Sequence, residues 1–514
     1  MSKTIIIIGA GLAGLSAALQ AAENGCNVKL VSSLPSERAQ SVMAEGGINA
    51  ALNTKDENDS PEEHFTDTIK AACGLADPNA VWGMTQAAPE LVHWLLKLGV
   101  KFNMSGYDDV DLRNFGGQKK KRTAFAQSDT GKQIMTAMID AVRRKEASGV
   151  VERFSHHSFL TLRLCGNICC GCVIRDEYSQ ETVELPGDAV IVATGGMHGL
   201  FGNTTGSLSN TGEVTAELFR LGVPLANGEM IQYHPTTVKC GGKRMLISEA
   251  ARGEGGRLFA MKDGKQWYFM EEKYPELGNL MPRDITAREI WKVSHESEVF
   301  LDMTEISEEI ISNKLSGLAD DCMTYLHKDI RKEPVSVLPG IHYFMGGILV
   351  DEQHRTPIQN LYAAGECCAQ YHGANRLGGN SLLGALYGGR VAAKSACEQA
   401  DVVDLSCATQ IDFPPASQIS EIKQLNKVMQ ETMGVVRNEN TLLNGIKTVQ
   451  ALTGNLPLLG MAVLKSALAR KESRGAHWRE DYPKSNDDDY LKTTVAIFDG
   501  KQIQISFVPV PERR

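Results

Sequence analysis

The chain opens with an apolar run, Ile5 to Ile8, in which every residue is β-branched. The run is too short for the core face of a helix, and it predicts a strand that is buried on both faces. A small-residue helical pattern follows over residues 15–22, and residues 28–31 return to an apolar strand pattern. The hydrophobic pattern therefore predicts a strand–helix–strand unit at the start of the chain.

Three glycines, Gly9, Gly11 and Gly14, separate the predicted first strand from the helix in the spacing G-x-G-x-x-G. In this position they permit a tight turn, close backbone approach to a pyrophosphate, and close packing of the helix on the strand. The helix N-terminus then faces the phosphates with unpaired N–H groups and a partial positive charge. The motif in this setting predicts a bound dinucleotide, and the alternative is a glycine-rich turn without a ligand.

The second strand ends at Ser32 and Ser33, where many dinucleotide-binding folds carry an acidic residue that binds a ribose. Hydroxyl groups can make a similar contact, but the substitution disfavours NAD as the ligand. Further along, Glu45-Gly46-Gly47 is a flexible backbone segment that could run along the rest of an extended cofactor.

Two later segments repeat the arrangement of a buried strand followed by a glycine turn. The first covers residues 188–196 and the second covers residues 360–366. A helix of small residues then opens near Asn380, and its N-terminus can press against the cofactor. Flavin-binding folds with two dinucleotide-binding motifs return to their cofactor in this way.

The pattern changes between residues 239 and 343, where charged helices alternate with glycine- and proline-containing loops. Residues 416–475 are amphipathic and helical, and two strands follow. A length of 514 residues also exceeds what one core usually supports. We therefore predict an α/β, Rossmann-like architecture with three domains. The cofactor-binding domain is discontinuous and consists of residues 1–238 and 344–415, and an α+β capping domain of residues 239–343 is inserted into it. Residues 416–514 form a C-terminal helical domain, which ends in two strands over residues 493–498 and 502–508.

Charge and hydropathy narrow the class of protein. The net charge of −9 argues against nucleic acid as a partner. No apolar run reaches the ~20 residues that span a membrane, so no direct membrane span is expected. The first apolar run leads straight into the glycine loop without a small-residue cleavage site, so we expect no secretory signal. We predict a cytoplasmic protein, or a subunit held at the membrane through a partner.

Four of the twelve cysteines, Cys165, Cys169, Cys170 and Cys172, lie in one stretch. Their spacing lacks the two regularly spaced pairs of ligands that are typical of a metal site. The stretch instead predicts two strands joined by a turn at Gly166. Buried free cysteine behaves as a small apolar residue, and reduced thiols are the default in the cytoplasm. We therefore expect structural thiols and no metal, with an iron–sulfur or zinc site as the alternative.

Five later segments carry a more specific pattern, and they occur in a fixed order. They are residues 232–236 (QYHPT), 246–256 (LISEAARGEGG), 282–284 (PRD), 341–347 (IHYFMGG) with 372–377 (HGANRL), and 472–477 (ESRGAH). Together with the glycine loop they resemble the flavoprotein of the fumarate reductase/succinate dehydrogenase family, to whose superfamily L-aspartate oxidase belongs. The resemblance extends from residue 3 to about residue 508.

The resemblance implies FAD across the glycine loop, with a small dicarboxylate substrate between the cofactor-binding and capping domains. The catalytic residues that it implies are Arg283, Glu249, Arg252, His234, Ser248, His342 and Arg376. The cofactor-binding residues that we expect are Gly9, Gly11, Leu12, Ala13, Gly14, Ser32, Ser33, Arg38, Ser41, Ala44, Glu45, Gly46, Gly47, Thr194, Gly195, Glu213, Glu366, Arg376, Ser381 and Leu382.

By the same resemblance, Arg376 and His342 would hold the far carboxylate of the substrate, and His234 and Ser248 would hold the near one. Hydride would pass from reduced flavin N5 to one alkene carbon, and Arg283 would give a proton to the other. Fixed positive charge beside the developing negative charge favours this reaction. Glu249 would return the proton from solvent together with Arg252, and residues 115–117 (FGG) match the loop that covers the site.

Two positions depart from the family pattern. Membrane-bound members carry a histidine that bonds covalently to the flavin, and Gln40 stands in its place. An amide cannot form that bond, so we predict non-covalent FAD, which favours fumarate reduction or oxidase chemistry over succinate oxidation. Phe344 stands where relatives carry threonine or asparagine, and we expect its ring to lie beside His342 and to reshape the pocket. The substrate could therefore be an unsaturated acid other than fumarate.

The sequence thus favours a fumarate-reductase-type enzyme, with L-aspartate oxidase as the alternative and a non-catalytic flavin-binding subunit as a third possibility. No cluster-binding cysteine pattern and no haem motif is present, so electrons must come from a partner protein, such as an iron–sulfur subunit or another reductase, or from a small carrier. The chain is shorter than most fumarate reductase flavoproteins, which leaves open how an iron–sulfur partner would dock.

Overall fold

The computed structural model of the chain describes residues 2–106, 109–401, 411, 413 and 418–514. Its strands are β1 (Thr4–Ile8), β2 (Asn27–Ser32), β3 (Ile48–Asn49), β4 (Leu112–Arg113), β5 (Thr123–Ala124), β6 (Val151–Ser155), β7 (His157–Cys165), β8 (Ile168–Asp176), β9 (Thr182–Pro186), β10 (Ala189–Val192), β11 (Leu225–Ala226), β12 (Ile231–Cys240), β13 (Lys243–Leu246), β14 (Arg257–Lys262), β15 (Lys265–Trp267), β16 (Val299–Asp302), β17 (Val335–Ser336), β18 (Leu338–Phe344), β19 (Gly347–Leu349), β20 (Leu361–Ala363), β21 (Cys368–Ala369), β22 (Lys492–Phe498) and β23 (Ile503–Pro509). Its α-helices are α1 (Leu12–Glu23), α2 (Pro61–Ala71), α3 (Pro78–Leu98), α4 (Thr130–Ala147), α5 (Glu213–Arg220), α6 (Glu249–Gly253), α7 (Phe269–Lys273), α8 (Arg283–Val293), α9 (Glu308–Lys314), α10 (Ser316–Asp321), α11 (Asn380–Gln399), α12 (Ile419–Thr432), α13 (Glu439–Val449), α14 (Asn455–Ala469) and α15 (Asp487–Tyr490).

A five-stranded sheet in the order β20-β10-β1-β2-β6 lies at the centre, and its paired strands are parallel. Ile5 and Ile7 pack on one face with residues of α1, α4 and α11, while Ile6 and Ile8 pack on the other with β7 and β8. Parallel strands covered on both faces need apolar residues at every position, which explains the isoleucine run. The predicted Rossmann-like α/β fold is confirmed.

Helices α1 and α11 both begin at the edge of the central sheet where its strands end, and they pack closely together. The Ser16 hydroxyl donates to the Leu386 carbonyl at 2.7 Å. A Cβ atom on Gly389 would lie 2.3 Å from the Ala13 carbonyl oxygen, so only glycine permits this approach. The small residues of the predicted α11 therefore bring two helix N-termini to the same place.

Two further cores accompany the central sheet. One contains Ile247, Leu258 and Leu301 and joins α6 to the sheet β15-β14-β16-β17. The other joins α12, α13 and α14 to α5 and to the predicted terminal strand pair, which is confirmed as antiparallel β22 and β23. The three-domain boundaries stay predictions, and the boundary between residues 415 and 416 lies outside the described residues.

The cysteine-rich stretch forms the predicted hairpin, because β7 and β8 pair in antiparallel order. Cys169, Cys170 and Cys172 are buried there, and burial raises the pKa of the Cys169 thiol to about 12. Across the described ranges, no group of three or more histidine, cysteine or acidic residues is placed to hold a metal ion. Within the same ranges, the helices are too short or too polar to cross a membrane.

Candidate active site and cofactor cavity

A cavity of about 520 Å³ lies where the central sheet ends and the β12–β18 region begins. Nearly all of the cofactor-binding residues predicted from the sequence line it, with Ser33 and Arg38 exposed at its rim. Gly14 is the exception, because a Cβ atom there would lie 1.8 Å from the Gly9 carbonyl oxygen. Gly14 thus serves the packing of α1 on the turn rather than a ligand.

The cavity walls fit a dinucleotide. The N-cap residues of α1 and α11 are Gly11 and Gly379, which have no side chains to cap the helices. Both helices therefore present first-turn N–H groups to the cavity, although the Leu12 N–H already donates to Ser41 Oγ at 3.2 Å. Gly9 has φ of +111°, and an added Cβ atom would lie 2.2 Å from the Ala193 carbonyl oxygen. The buried Ser32 hydroxyl has no hydrogen-bond partner among the described residues, so it is free to hydrogen-bond to a ribose of the ligand.

The segment around Glu45 lines the same cavity, and Arg113 holds its backbone. The Arg113 guanidinium donates to the carbonyl oxygens of Glu45, at 3.1 Å, and Gly46, at 3.0 Å. Burial and the nearby Asp321 carboxylate raise the pKa of Glu45 to about 8, although Arg113 opposes the shift. Gln40 also lines the cavity, at the position where a covalent flavin link would need an imidazole.

At the other end of the cavity, Arg283 and Glu249 form a buried ion pair. Arg283 is the first residue of α8, and its Nε and Nη2 atoms lie 2.8 and 2.6 Å from Glu249 Oε2. Its Nη1 atom donates to Gln232 Oε1 at 3.0 Å. Burial alone would raise the pKa of Glu249, but Arg283 and Arg252 outweigh it and lower that pKa. All three nitrogen atoms of the Arg283 guanidinium are therefore held, by two partners, Glu249 and Gln232.

Arg252 lies behind this pair and does not line the cavity. Its Nη2 atom is 3.3 Å from Glu249 Oε1, and its Nη1 atom donates to the Asn279 carbonyl at 2.6 Å. Because Glu249 presents one oxygen to each arginine, the three side chains form a continuous row, Arg283–Glu249–Arg252. Glu249 and Arg252 lie three residues apart on one short helix, α6.

Two histidines reach the cavity from adjacent strands, His234 from β12 and His342 from β18. Their ring centroids are 5.2 Å apart. His342 Nδ1 lies 2.8 Å from the Thr205 hydroxyl, and His234 Nδ1 lies 3.1 Å from the Thr236 carbonyl oxygen. Burial, followed by the charge of Arg283, holds the pKa of both imidazoles well below the usual value. Both rings are therefore neutral at pH 7 in this structure.

Arg376 supplies a second buried guanidinium at the cavity. Its Cζ atom lies 4.4 Å from the centroid of the Tyr343 ring, and no acceptor among the described residues hydrogen-bonds to its Nε atom. Burial and the positive charge of Arg283 lower the pKa of Arg376 to about 9. Ser248, the N-cap of α6, is also buried at the cavity wall. Glu249 pairs with Arg283, and Glu366 and Glu249 only partly oppose the effect of burial on Arg376, so this end of the cavity suits an anion.

The glycine loop predicted to cover the site lies against Glu249. Phe115 lines the cavity, and the Gly116 N–H donates to Glu249 Oε1 at 3.2 Å. A Cβ atom on Gly116 would lie 2.7 Å from that same oxygen, so glycine is required for the contact. The loop thereby covers the Glu249 carboxylate and also lies close to Leu280 and Met281, which lead into α8.

The expectation that Phe344 reshapes the pocket is wrong. Its ring is buried in the core against His198 and Phe201, at centroid distances of 4.9 and 5.6 Å, and it does not line the cavity. Gln232 pairs with Tyr343 while the next residue pairs with Ile341, so a bulge leaves His342 as the extra residue in β18. The bulge turns His342 toward the cavity and separates it from Phe344.

Sequence reasoning missed three residues that support this end of the cavity: Thr205, Gln232 and Tyr343. Gln232 Nε2 donates to the Asn375 side chain and to the Arg376 carbonyl, each at 2.9 Å, while its Oε1 accepts from Arg283. Gln232 thus connects both arginines. Gln232 and Tyr343 belong to the segments that resemble the family, so those segments could have pointed to them. Thr205 lies in a polar, glycine-rich loop that no sequence pattern distinguishes.

Comparison with known proteins gives an independent result. A model of the FAD binding domain matches residues 4–382, and a model of the fumarate reductase flavoprotein C-terminus matches residues 452–513. The succinate dehydrogenase flavoprotein subunit of Bacillus subtilis is 39% identical over 549 residues, which cover 96% of this chain and 94% of that protein. The 8-methylmenaquinol:fumarate reductase flavoprotein subunit of Wolinella succinogenes is 32% identical, with coverage of 97% and 89%.

The fold agrees with these matches. The structure of the E. coli quinol fumarate reductase protein FrdA superposes with a TM-score of 0.90 at 27% identity, covering 99% of this chain and 97% of that one. An adenylylsulfate reductase from Archaeoglobus fulgidus shares the fold at 17% identity with a TM-score of 0.78. The chain therefore belongs to the succinate dehydrogenase and fumarate reductase flavoprotein family, and it is a flavin-dependent oxidoreductase.

Proposed function

We propose that this enzyme reduces fumarate, or a closely related unsaturated dicarboxylate, with FAD that is held without a covalent bond. The observation that carries the proposal is the grouping of two buried guanidinium groups, Arg283 and Arg376, and two imidazoles, His234 and His342, at one end of the cofactor cavity. A small dianion can satisfy all four groups at once, whereas a neutral substrate would leave charged donors unpaired at a cost of several kcal/mol.

Arg376 and His342 are the groups that would hold one carboxylate. The Arg376 guanidinium lacks an acceptor at Nε, and it offers the planar fork that binds a carboxylate with two hydrogen bonds. His342 is held in place by Thr205 and can donate one further hydrogen bond. His234 and Ser248, on the other side of Arg283, would hold the second carboxylate.

When FAD is bound and reduced, it supplies the hydride that attacks one alkene carbon. Arg283 would then give its Nη proton to the neighbouring carbon. A guanidinium group has a pKa above ~12, but a carbanion is a stronger base and can take this proton. Gln232 and Glu249 fix the plane of the guanidinium, and the row Arg283–Glu249–Arg252 offers a path by which the proton is replaced.

The absence of a covalent link rests on Gln40, whose amide lacks the nucleophilic ring nitrogen with which an imidazole forms a bond to the flavin. Acid precipitation of the purified, yellow protein tests this part directly. We expect all of the flavin absorbance in the supernatant, and flavin absorbance retained on the precipitated chain would contradict it.

We further infer that electrons reach the flavin from a separate protein, such as an iron–sulfur subunit or another reductase, which could also hold the enzyme at a membrane. The relatives named above are subunits of larger enzymes, and the described residues contain no cluster of metal ligands through which the chain could pass electrons by itself. Copurification with tagged enzyme under reducing conditions tests for such a partner.

The main experiment compares substrates with one electron donor, reduced viologen. We expect viologen oxidation with fumarate and no reaction with monocarboxylic enoates, because a single carboxylate leaves one of the two sets of donors, Arg376 with His342 or His234 with Ser248, without a partner. L-Aspartate with oxygen is measured in parallel, since L-aspartate oxidase chemistry would use an unlinked flavin and the same cationic groups. Peroxide and ammonia from L-aspartate, without fumarate reduction, would overturn the proposal in favour of that alternative.

A further inference from the structure

Two cysteines far apart in the sequence meet beneath the central sheet. The Sγ atoms of Cys26 and Cys397 lie 2.8 Å apart, although 371 positions separate them in the chain. Cys26 lies at the turn into β2 and is buried, whereas Cys397 lies near the end of α11 and is half-buried. A disulfide bond requires sulfur atoms about 2.05 Å apart, so a shift of less than about 1 Å joins them.

The surroundings of Cys397 disfavour its thiolate form, so its first reaction with an oxidant should be slow, whereas the contact with Cys26 favours ring closure once Cys397 has reacted. Burial and the neighbouring Cys26 thiol raise the pKa of Cys397 well above its usual value, and Lys3 opposes this shift. The Lys3 ammonium group donates to the Cys397 carbonyl at 2.8 Å, which places a cation beside the half-buried thiol. Cys397 is therefore the thiol that a small oxidant reaches first.

Cys367 and Cys368 offer a comparison that lacks this arrangement. Cys367 and Cys368 are adjacent in sequence, but their thiols donate to different backbone carbonyls, those of Val192 at 3.3 Å and Gly365 at 3.2 Å. The Cys26 thiol instead points at the Cys397 sulfur atom.

A bond between Cys26 and Cys397 would restrain the two helices that face the cofactor cavity. Cys26 follows α1 and Cys397 lies in the last turns of α11, the two helices whose uncapped N-termini face the cofactor cavity. Near the cavity the same helices are joined by the hydrogen bond from Ser16 to Leu386. A bond between Cys26 and Cys397 would fix their far ends as well, so that neither helix could move away from the cofactor alone.

We propose that Cys26 and Cys397 are a redox modification site, at which a reversible disulfide bond joins α1 to α11 and slows the release of FAD. The oxidant is a small-molecule disulfide such as oxidised glutathione. The Cys397 thiolate attacks it and releases one glutathione thiolate, and the Cys26 thiolate then attacks the Cys397 sulfur atom and releases the second. Two protein thiols and one glutathione disulfide thus become one protein disulfide and two glutathione thiols.

The cross-link is tested on the full-length, FAD-loaded enzyme incubated with oxidised glutathione. We expect a mass loss of about 2 Da from the chain and a disulfide-linked peptide pair that contains Cys26 and Cys397. The variants Cys26→Ser and Cys397→Ser should lack this peptide pair, whereas Cys165→Ser, which changes another half-buried cysteine, should retain it. A stable glutathione adduct on Cys397 without ring closure would overturn the proposal.

The consequence for the cofactor is measured as the rate at which flavin fluorescence appears after dilution. Oxidised wild-type enzyme should release FAD about fivefold more slowly than reduced enzyme and unfold about 5 °C higher, and dithiothreitol should reverse both changes. Because oxidised and reduced samples share one sequence, the comparison does not depend on how a variant folds. Equal release rates in cross-linked and reduced enzyme would overturn the proposed effect on FAD.

Discussion

The two ends of the cavity recognise their ligands by different means. At the cofactor end the ligand-facing groups are mainly backbone N–H groups at two helix N-termini, and glycine and alanine keep side chains away. At the substrate end they are charged and polar side chains that come from residues 232–376 and are buried in mutual contact. Ligand recognition depends on shape at the cofactor end and on electrostatics at the substrate end. Substitutions at the two ends should therefore affect cofactor binding and catalysis separately.

The largest effect should follow from Gly9→Ala, at the cofactor end. The added methyl group would lie 2.2 Å from the Ala193 carbonyl oxygen, in a backbone conformation with φ of +111°. We expect a protein without FAD and without turnover, measured by flavin absorbance per chain. Gly25→Ala is the matched control, because its φ is also positive, at +77°, but no atom lies within 4 Å of the added methyl group. It should keep FAD and lose only about 1 kcal/mol of stability.

Arg283→Lys should leave the cofactor end intact and abolish catalysis at the substrate end. Lysine cannot maintain the hydrogen bonds that Arg283 makes to Glu249 and Gln232, and it places its proton elsewhere. We expect turnover with reduced viologen and fumarate to fall about 1,000-fold or more with normal FAD content. Arg288→Lys, in the same helix but stacked on Trp478, is the control that should keep full turnover. Near-normal turnover in Arg283→Lys would remove this residue from proton transfer.

Arg376→Lys should have a smaller effect, because the positive charge stays while the bidentate geometry is lost. We expect kcat/KM for fumarate to fall about 100-fold, chiefly through KM, which corresponds to about 2.7 kcal/mol. Arg390→Lys, in α11 and stacked on Trp94 away from the cavity, is the control that should leave KM unchanged. An equal fall in kcat for Arg376→Lys without a change in KM would contradict the binding role.

The neutral histidines predict how dicarboxylate binding depends on pH. The pKa of each imidazole is held well below its usual value in the empty site, so a bound dianion will raise it and draw protons in. Affinity for a non-reacting dicarboxylate such as malonate should therefore increase as pH falls from 8 to 6, by up to about tenfold per pH unit for one proton taken up. Calorimetry in buffers of different ionisation enthalpy measures that proton uptake, and pH-independent binding without uptake would show that the histidines stay neutral.

The two ends also differ in how far sequence reasoning reaches. The glycine loop, β1 and α1 were predictable because their causes lie in one strand–helix–strand unit, where Gly14 is required by the Gly9 carbonyl oxygen and Gly9 by Ala193 at the end of the adjoining strand. The substrate end depends on contacts between distant segments, and only the resemblance to a known family brought Arg283, His342 and Arg376 together before the structure did. Even then, Thr205 and the Arg283–Gln232 contact could not be predicted, because nothing near them in sequence requires that pairing.

Phe344 marks the limit of that reasoning, and its replacement should have the smallest effect on activity. A position two residues after a substrate histidine suggests the same strand face, but the bulge at His342 breaks the alternation and buries the ring against His198 and Phe201. Phe344→Leu should therefore cost about 1–2 kcal/mol of stability, measured by denaturant unfolding, and leave KM for fumarate within twofold. A large change in KM with unchanged stability would mean that the ring contacts the substrate after all. The expected result would show that substrate specificity depends on the side chains that line the cavity. It would also explain why an atypical residue at position 344 is compatible with the reduction of fumarate.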